Sequence, residues 1–309
     1  MTASAARPGS APPAEELLPP TRTEPGKRDL GRIRPSLLVL LVLLAGGFRT
    51  SEGSPVRTFS HDSYARLLAA RVDGRGQVDY AGLRQNPKDL DEYLETLARL
   101  EAASYETWPS GHKIAFWINA YNALTLKAVI DHLPIRASGS KAAESSKSSI
   151  RQIPGVWNRL EFRVLGQAMT LDRIEHKILR KEFREPRIHL ALVCASMSCP
   201  PLRREPYLGE TLETQLEDQV RRFLAKPENF AFDRARREVL ISSIFKWYGG
   251  DFVEAYEPSS GFQGLGRTER AVLLFCALHV PEAERRWLET TSYRVLYQKY
   301  DWSLNEQEK

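Results

Sequence analysis

The chain has 309 residues, of which 42% are hydrophobic, and its formal net charge is +5. This length suits one large domain or two small ones, and the apolar content can build a core, which excludes a wholly disordered chain. Basic and acidic residues are interspersed along the sequence and form no basic stripe, so nucleic acid is not an expected partner.

The N-terminal region predicts export. Residues 1–35 form a Pro-rich basic tail, and residues 36–48 read "SLLVLLVLLAGGF". A basic flank before a short apolar core is typical of a signal peptide, because a membrane-spanning helix needs about 20 apolar residues. The alternative is an uncleaved membrane anchor. We therefore expect a periplasmic or extracellular protein, a linker at 49–56, and an unknown protein or envelope component as partner, with a tether through 36–48 as the alternative.

The first predicted elements after the linker are helices. Apolar residues at helical spacing predict them in "HDSYARLLAARV" and "NPKDLDEYLETLARLEAA". The stretch "HKIAFWINAYNALTLKAVIDHL" is apolar on almost every side, which predicts a helix buried in the protein. Asn119 and Asn122 share one face of it, and buried amides need partners. They either tie the helix to a neighbouring segment or line a site.

The second half of the chain mixes short strands and helices. Residues 137–149 are polar and of low complexity, which predicts a flexible insertion. The later predictions, in chain order, are a hairpin in "RLEFRVLGQAMTL" with its turn at Gly166-Gln167, a helix in "DRIEHKILRKEF", a buried strand in "RIHLALVC", a helix in "TLETQLEDQVRRFLA", a hairpin in "FAFDRARREVLIS", a helical turn in "IFKWYGGDF" stopped by Gly249 and Gly250, a helix in "TERAVLLFCALHV" and a strand in "SYRVLYQKYDWSLN".

Glu175 and His176 are adjacent and resemble an acid/base pair. Asp172 lies three residues before Glu175, the spacing of a capping box, so Glu175 is interpreted mainly as a capping residue. His176 lies one turn from Asp172 and Arg180 and can simply share their polar face. The cap does not require His176, so the histidine stays a candidate base.

Cys194, Cys199, His189 and His176 are the candidates for thiol chemistry. A cysteine nucleophile needs its thiolate form and therefore a histidine or cationic partner. On a regular strand, His189 and Cys194 would point to opposite faces, which argues against a simple dyad. Cys199 falls in the loop beyond that strand and is the better-placed thiol. The alternative is a Cys194–Cys199 disulfide, which an oxidising compartment favours.

Six motifs occur in an order typical of one family: "VDYAGL", "FWINAYNALTLKAVI", "LDRIEHKILR", "PRIHLALVCASMSCPPLR", "IFKWYGGDF" and "YDWSLN". Together they resemble the domain of unknown function 547 family over roughly residues 57–305. The resemblance implies a single globular domain and no particular reaction. The predicted packing of the Asn helix on the His/Cys strand also resembles papain-like and transglutaminase-like cores, although Asn119 stands where those folds often place a nucleophilic cysteine.

These observations predict one mixed α/β or α+β domain at 57–305, with a central sheet and a buried helix. The favoured function is a binding or scaffold module at the cell envelope with a cysteine-pair loop. The alternative is a thiol-dependent hydrolase or acyl transferase in which Cys199 or Cys194 attacks, a histidine acts as base, and Asn119 or Asn122 stabilises an oxyanion. A redox switch using the same cysteine pair is a third hypothesis. No cofactor and no metal are predicted.

Overall fold

The computed structural model describes residues 58–135, 147–256 and 261–308. All of them belong to one compact unit, Val56–Lys309. The predicted tail, signal segment and linker, and most of the predicted insertion at 137–149, lie outside the described residues. Among the residues that are described, no helix is both long and apolar enough to span a membrane.

One buried helix organises the first half of the fold. This helix, α5, runs from Ser110 to His132, and its side chains are buried from Ile114 to Leu126 without a break. The absence of a polar stripe predicts such burial, and the buried-helix prediction is confirmed. The surrounding helices are α1 (Asp62–Arg71), α2 (Tyr80–Gln85), α3 (Lys88–Arg99) and α4 (Ala102–Glu106).

The prediction of one central sheet is wrong for the described residues, whose strands form two small sheets. Strands β1 (Phe162–Val164) and β2 (Gln167–Met169) pair antiparallel across Leu165 and Gly166, one residue earlier than the predicted turn. Both turn residues have positive φ, as a two-residue hairpin turn requires. The second sheet has the order β3-β4-β5, formed by Phe230–Asp233, Glu238–Ile241 and Arg294–Tyr297, with β5 parallel to β4. The fold is therefore α+β.

A second core packs around this three-stranded sheet. Its helices are α6 (Leu212–Leu224), α7 (Ser243–Trp247), α8 (Gly249–Tyr256), α9 (Arg267–Ala277) and α10 (Glu282–Thr290). Gly249 begins α8 and does not only end the preceding turn. A Cβ at Gly249 would collide with the Thr268 side chain, so glycine lets α8 approach α9 closely.

The segment predicted as a buried strand in "RIHLALVC" is not a strand. Residues Pro186–Leu190 form a 3₁₀ turn instead, with Pro186 in its first turn and the Glu185 side chain accepting the Arg187 backbone N–H. A short apolar run buried on all sides carries no periodicity that separates strand from helix, which is why the prediction failed. Ile188 packs in the first core, which surrounds α5, and Leu190 packs in the second core. This turn therefore lies at the seam between the two cores.

Candidate functional site

The loop that follows this 3₁₀ turn carries both candidate cysteines. Helix α5 fixes its start through Asn122, whose Nδ2 donates to Ala191 O at 3.0 Å and whose Oδ1 accepts the Val193 N–H at 2.8 Å. The oxygen and the nitrogen of the Asn122 side-chain amide thus both bond to the backbone of this segment. Asn122 therefore positions the cysteine loop, as the structural alternative for a buried amide predicts.

The sulfur atoms of Cys194 and Cys199 lie at disulfide-bonding distance, and their Cα atoms are 6.2 Å apart. That separation falls within the usual range for bridged cysteines. Tyr300 Oη lies 3.2 Å from Cys199 Sγ and 3.3 Å from Cys194 Sγ. The Ser196 hydroxyl donates to Tyr300 Oη at 3.0 Å, which leaves the tyrosine proton directed at sulfur. The four side chains form one contact group, which we call the cysteine-loop site.

His189 does not face a cysteine along a strand, because no strand forms there. Its Nε2 lies 2.7 Å from Asp251 Oδ2, and its ring stacks on Tyr248 with the ring centroids 3.9 Å apart. Arg180 holds the same carboxylate through Nε at 2.7 Å and Nη2 at 2.8 Å. Asp251 joins a histidine and an arginine that lie at least 62 residues away in the sequence.

The protonation of this group follows from its contacts. Burial lowers the pKa of His189, and the hydrogen bond to Asp251 offsets part of that effect. Burial would raise the pKa of Asp251, but hydrogen bonds from Arg180 and His189 outweigh it and hold that pKa well below its usual range. Asp251 only accepts, so Nε2 carries the proton of a neutral His189, and Nδ1 is a bare acceptor. This Nδ1 has no hydrogen-bond partner among the described residues.

Glu175 is not the capping residue that its spacing predicts. Asp172 precedes a π-helix, Arg173–Phe183, without a side-chain capping bond, and Glu175 is only 6% exposed. Burial raises the pKa of Tyr121 and Tyr248 well above the usual range, and the charge of Glu175 and its hydrogen bonds to both hydroxyls add to the effect. The carboxylate of Glu175 is therefore a buried acceptor for tyrosines. It also acts electrostatically on His189, which it keeps easier to protonate.

His176 lies on the outer face of the same helix. Its Nδ1 is 3.0 Å from Arg180 Nη1, and its Nε2 is 3.8 Å from Asp172 Oδ1. This is the shared polar face that the spacing predicts as the alternative to a base. His176 lines a shallow pocket of about 320 Å³ together with Arg180 and Asp251.

Asn119 is separate from the cysteine-loop site. Its Oδ1 accepts the Tyr207 N–H at 2.9 Å and its Nδ2 donates to Tyr207 O at 2.7 Å, which ties α5 to a different loop. Its amide also lies 3.4 Å from the ring nitrogens of His61. Burial lowers the pKa of His61 to about 4, and His61 Nδ1 contacts Tyr93 Oη at 2.8 Å. The amide nitrogen of Asn119 is thus already engaged and is not free to hold an oxyanion here.

A groove of about 860 Å³ opens beside the cysteine loop. Ser196, Met197 and Cys199 form part of its wall, and the turn at residues 73–77, which follows α1, forms another part. Met197 is 41% exposed. Within 58–135, 147–256 and 261–308, no three His, Cys, Asp or Glu side chains come close enough together to hold a metal ion.

Sequence reasoning missed Asp251 and Tyr300 as site residues. Each lies in a quoted motif, "IFKWYGGDF" or "YDWSLN", but neither motif suggests which partner it meets. Asp251 meets His189 and Arg180, and Tyr300 meets the two sulfurs, over separations of 62 residues or more. In the sequence alone, only the family resemblance singles out these motifs.

The fold and site define a class: an α+β domain built on one buried helix, with a cysteine-pair loop directly after the turn that contributes to both cores. Residues 105–224 match the family model described as "Protein of unknown function, DUF547". This match confirms the family prediction over residues 105–224, while its wider extent over 57–305 stays a prediction. No curated protein and no solved structure matches the chain, and the expected likeness to papain-like and transglutaminase-like cores finds no support.

Proposed function

We propose that this domain is a binding module that takes a peptide segment of a partner protein in the groove beside Cys199. The observation that carries the proposal is the groove itself. Its volume of about 860 Å³ is in the range of ligand-binding clefts, about 300–1,000 Å³, and its wall includes the cysteine loop.

The lining supports a peptide as occupant. The groove lining combines acidic and basic side chains with the prolines of the segment after Cys199. The charged members are Asp73, Arg75, Arg204, Glu205, Arg222, Lys226 and Glu228. A lining with both signs of charge complements a polypeptide better than a uniformly anionic polymer.

The cysteines favour binding over nucleophilic catalysis. Cys194 and Cys199 lie within bonding distance of each other. The third cysteine, Cys276, is fully buried in the second core, and burial raises the pKa of its thiol. With the pair oxidised, the chain holds no accessible thiolate to attack a substrate.

A displayed random-peptide library, panned against the oxidised protein, tests the proposal. Met197→Glu places a charge in the groove, and Leu278→Glu is a matched control because Leu278 is an exposed leucine, 55% accessible, outside the groove lining. Selected peptides should bind wild type and Leu278→Glu alike and should bind Met197→Glu at least about tenfold more weakly. Failure to select any binder, or equal binding by Met197→Glu, contradicts the proposal.

A thiol-dependent hydrolase or acyl transferase is the second candidate, and one observation favours it. The bare Nδ1 of His189, oriented by Asp251 through Nε2, is the arrangement of a general base. The test is the pH dependence of alkylation in the reduced protein. A thiol paired with His189 would react well below the usual thiol pKa of ~8.5, and His189→Ala would abolish that reactivity. A His132→Ala control, an exposed histidine at the end of α5, should change nothing.

We also propose that the chain is exported, with residues 36–48 removed or retained as an anchor. The support is the basic flank and short apolar core of that segment. Intact-mass measurement of the protein from its native compartment tests it. A mass that includes residues 1–48, in protein recovered from the cytosol, would contradict export.

A further inference from the structure

The cysteine loop is held by hydrogen bonds that do not involve sulfur. Met197 N–H donates to Ser303 O at 2.8 Å, Ser198 N–H to Asp301 O at 3.2 Å, and Asn305 N–H to Ala195 O at 3.3 Å. With the two Asn122 bonds, these tie the backbone of the loop at several points between residues 191 and 198 to other parts of the fold. A covalent bond between Cys194 and Cys199 is therefore not needed to shape this loop, and its opening leaves the loop supported.

One of the two sulfurs is placed to carry negative charge. The Cys194 backbone N–H points at Cys199 Sγ at 2.9 Å, and the Tyr300 hydroxyl donates to the same sulfur at 3.2 Å. Two hydrogen-bond donors stabilise a thiolate relative to a thiol. Burial keeps the pKa of Tyr300 above its usual range, so at neutral pH this hydroxyl retains the proton that it donates.

The two sulfurs also differ in access. Cys199 is 4% exposed, whereas Cys194 is partly exposed and has no comparable backbone donor among its contacts. An incoming thiolate therefore reaches Cys194 more easily, and Cys199 is the sulfur better prepared to leave. Exchange is faster when the leaving thiolate is the stabilised one.

We propose that Cys194 and Cys199 form a reversible dithiol/disulfide pair that exchanges with an external thiol, with Cys194 as the attacked sulfur and Cys199 as the leaving thiolate. This inference goes beyond the proposed binding function and does not depend on it. The co-reactant is a thiol, either a small molecule or a cysteine of a peptide chain.

The exchange balances as two displacements. The thiolate RS⁻ bonds to Cys194 Sγ, the Cys194–Cys199 bond breaks, and its electron pair stays on Cys199 as a thiolate. A second RS⁻ then attacks the sulfur of the bound R group and releases RSSR and the Cys194 thiolate. Overall, two thiols are oxidised to one disulfide, the protein pair is reduced, and the two thiol protons end on Cys194 and Cys199.

The first test uses the full chain in mixtures of reduced and oxidised glutathione at pH 7 without denaturant. Samples are quenched, alkylated and read by mass spectrometry on the tryptic peptide 188–203, which holds both cysteines. We expect the pair to pass fully between its two forms within minutes while Cys276 stays unalkylated and the circular dichroism is unchanged. A pair that is reduced only in denaturant overturns the proposal. Replacing glutathione with a cysteine-containing peptide shows which source of thiol reacts faster.

Single-cysteine variants test the assignment of roles. With oxidised glutathione, Cys199→Ser should form a mixed disulfide at Cys194 at least about tenfold faster than Cys194→Ser forms one at Cys199, because Cys194 is more accessible. The reverse order overturns the assignment.

Tyr300→Phe tests the donor. Loss of one bond to a thiolate should slow reduction of the pair about tenfold, and Tyr297→Phe, on the neighbouring strand β5, should leave the rate unchanged. If Tyr300→Phe does not fold, Ser196→Ala replaces it and should slow reduction about twofold, since Ser196 polarises the Tyr300 hydroxyl. Equal rates in wild type and the folded variant contradict the donor's role. None of these assays uses a groove ligand, so their failure leaves the binding proposal standing, and loss of peptide binding leaves the exchange measurable.

Discussion

The cysteine-loop site and the His189–Asp251–Arg180 group both draw on the segment that begins at Pro186, yet they are built differently. The cysteine loop is held mainly by neutral backbone hydrogen bonds and borders a groove. The other group is a charged network in which one carboxylate serves a histidine and an arginine. A neutral, hydrogen-bonded loop tolerates chemistry at its sulfurs, whereas a partly buried charge network fails when one member is removed. The difference separates a region suited to exchange and contact from one that supports the fold.

The largest expected effect is on the charged network. Asp251→Ala leaves Arg180 and His189 without their shared acceptor. Breaking a buried pair costs about 3–5 kcal/mol, and because Asp251 is 27% exposed we expect the low end, about 3 kcal/mol, in urea unfolding.

The matched control is Glu282→Ala, which breaks a pair with Arg286 whose side chains are 70% and 72% exposed. Its expected effect is below about 0.5 kcal/mol. Equal effects of the two substitutions would remove the contrast between network and surface.

The next effect tests how the cysteine loop is anchored. Asn122→Ala leaves Ala191 O and the Val193 N–H without their partner, which should cost about 2 kcal/mol. Asn119→Ala loses a similar pair of bonds, to Tyr207, and is the control. Hydrogen exchange of the amides in 193–199 should accelerate in Asn122→Ala only. Acceleration in both variants would show that α5 acts as a whole and that Asn122 has no special role.

A smaller effect is expected from the covalent link. A loop closed over so few residues gains about 2 kcal/mol at most from restricting the unfolded chain. The Cys194→Ala/Cys199→Ala double variant should therefore be less stable than the oxidised protein by about 1–2 kcal/mol. A loss above about 4 kcal/mol would mean that the bond, and not the hydrogen bonds, holds the loop.

The last prediction concerns the dependence of stability on pH near neutrality. Burial lowers the folded-state pKa of His189 and of His61, the latter to about 4, so the unfolded chain binds these protons first. Their contribution to stability is full above the unfolded pKa of ~6.5 and is lost progressively as the pH falls from that value down through the folded pKa. Each histidine adds a slope of at most about 1.4 kcal/mol per pH unit.

Urea unfolding from pH 7 to pH 5 measures this slope. His61→Gln should reduce it. A stability that is flat over this range would contradict the neutral, buried state of both histidines. Asp251 acts in a separate window, because its lowered pKa makes its contribution fall only below pH ~3.9.

Local sequence patterns predict the helices well and the site poorly. The unbroken apolar run of α5 and the spacing in α1 and α3 are short-range signals, and the structure confirms those helices. The hairpin at 230–241 is equally predictable from sequence, because its turn and both strands are contiguous in the chain.

The rest depended on contacts that no local pattern contains. The segment Pro186–Leu190 is apolar enough to be predicted as a strand, but it forms a 3₁₀ turn whose side chains are buried in two different cores. Glu175 fitted a cap by spacing, but tertiary contacts with Tyr121 and Tyr248 bury it. Where a side chain has two plausible local roles, partners far along the chain decide which role it takes.

The pairing of Cys194 with Cys199 is the central claim, and differential alkylation tests it most directly. Oxidised full-chain protein is alkylated, digested with trypsin and read at the peptide 188–203, with and without prior reduction. We predict an unalkylated peptide lighter by two hydrogens before reduction and a doubly alkylated peptide after it. Two alkylated cysteines without any reductant would contradict it.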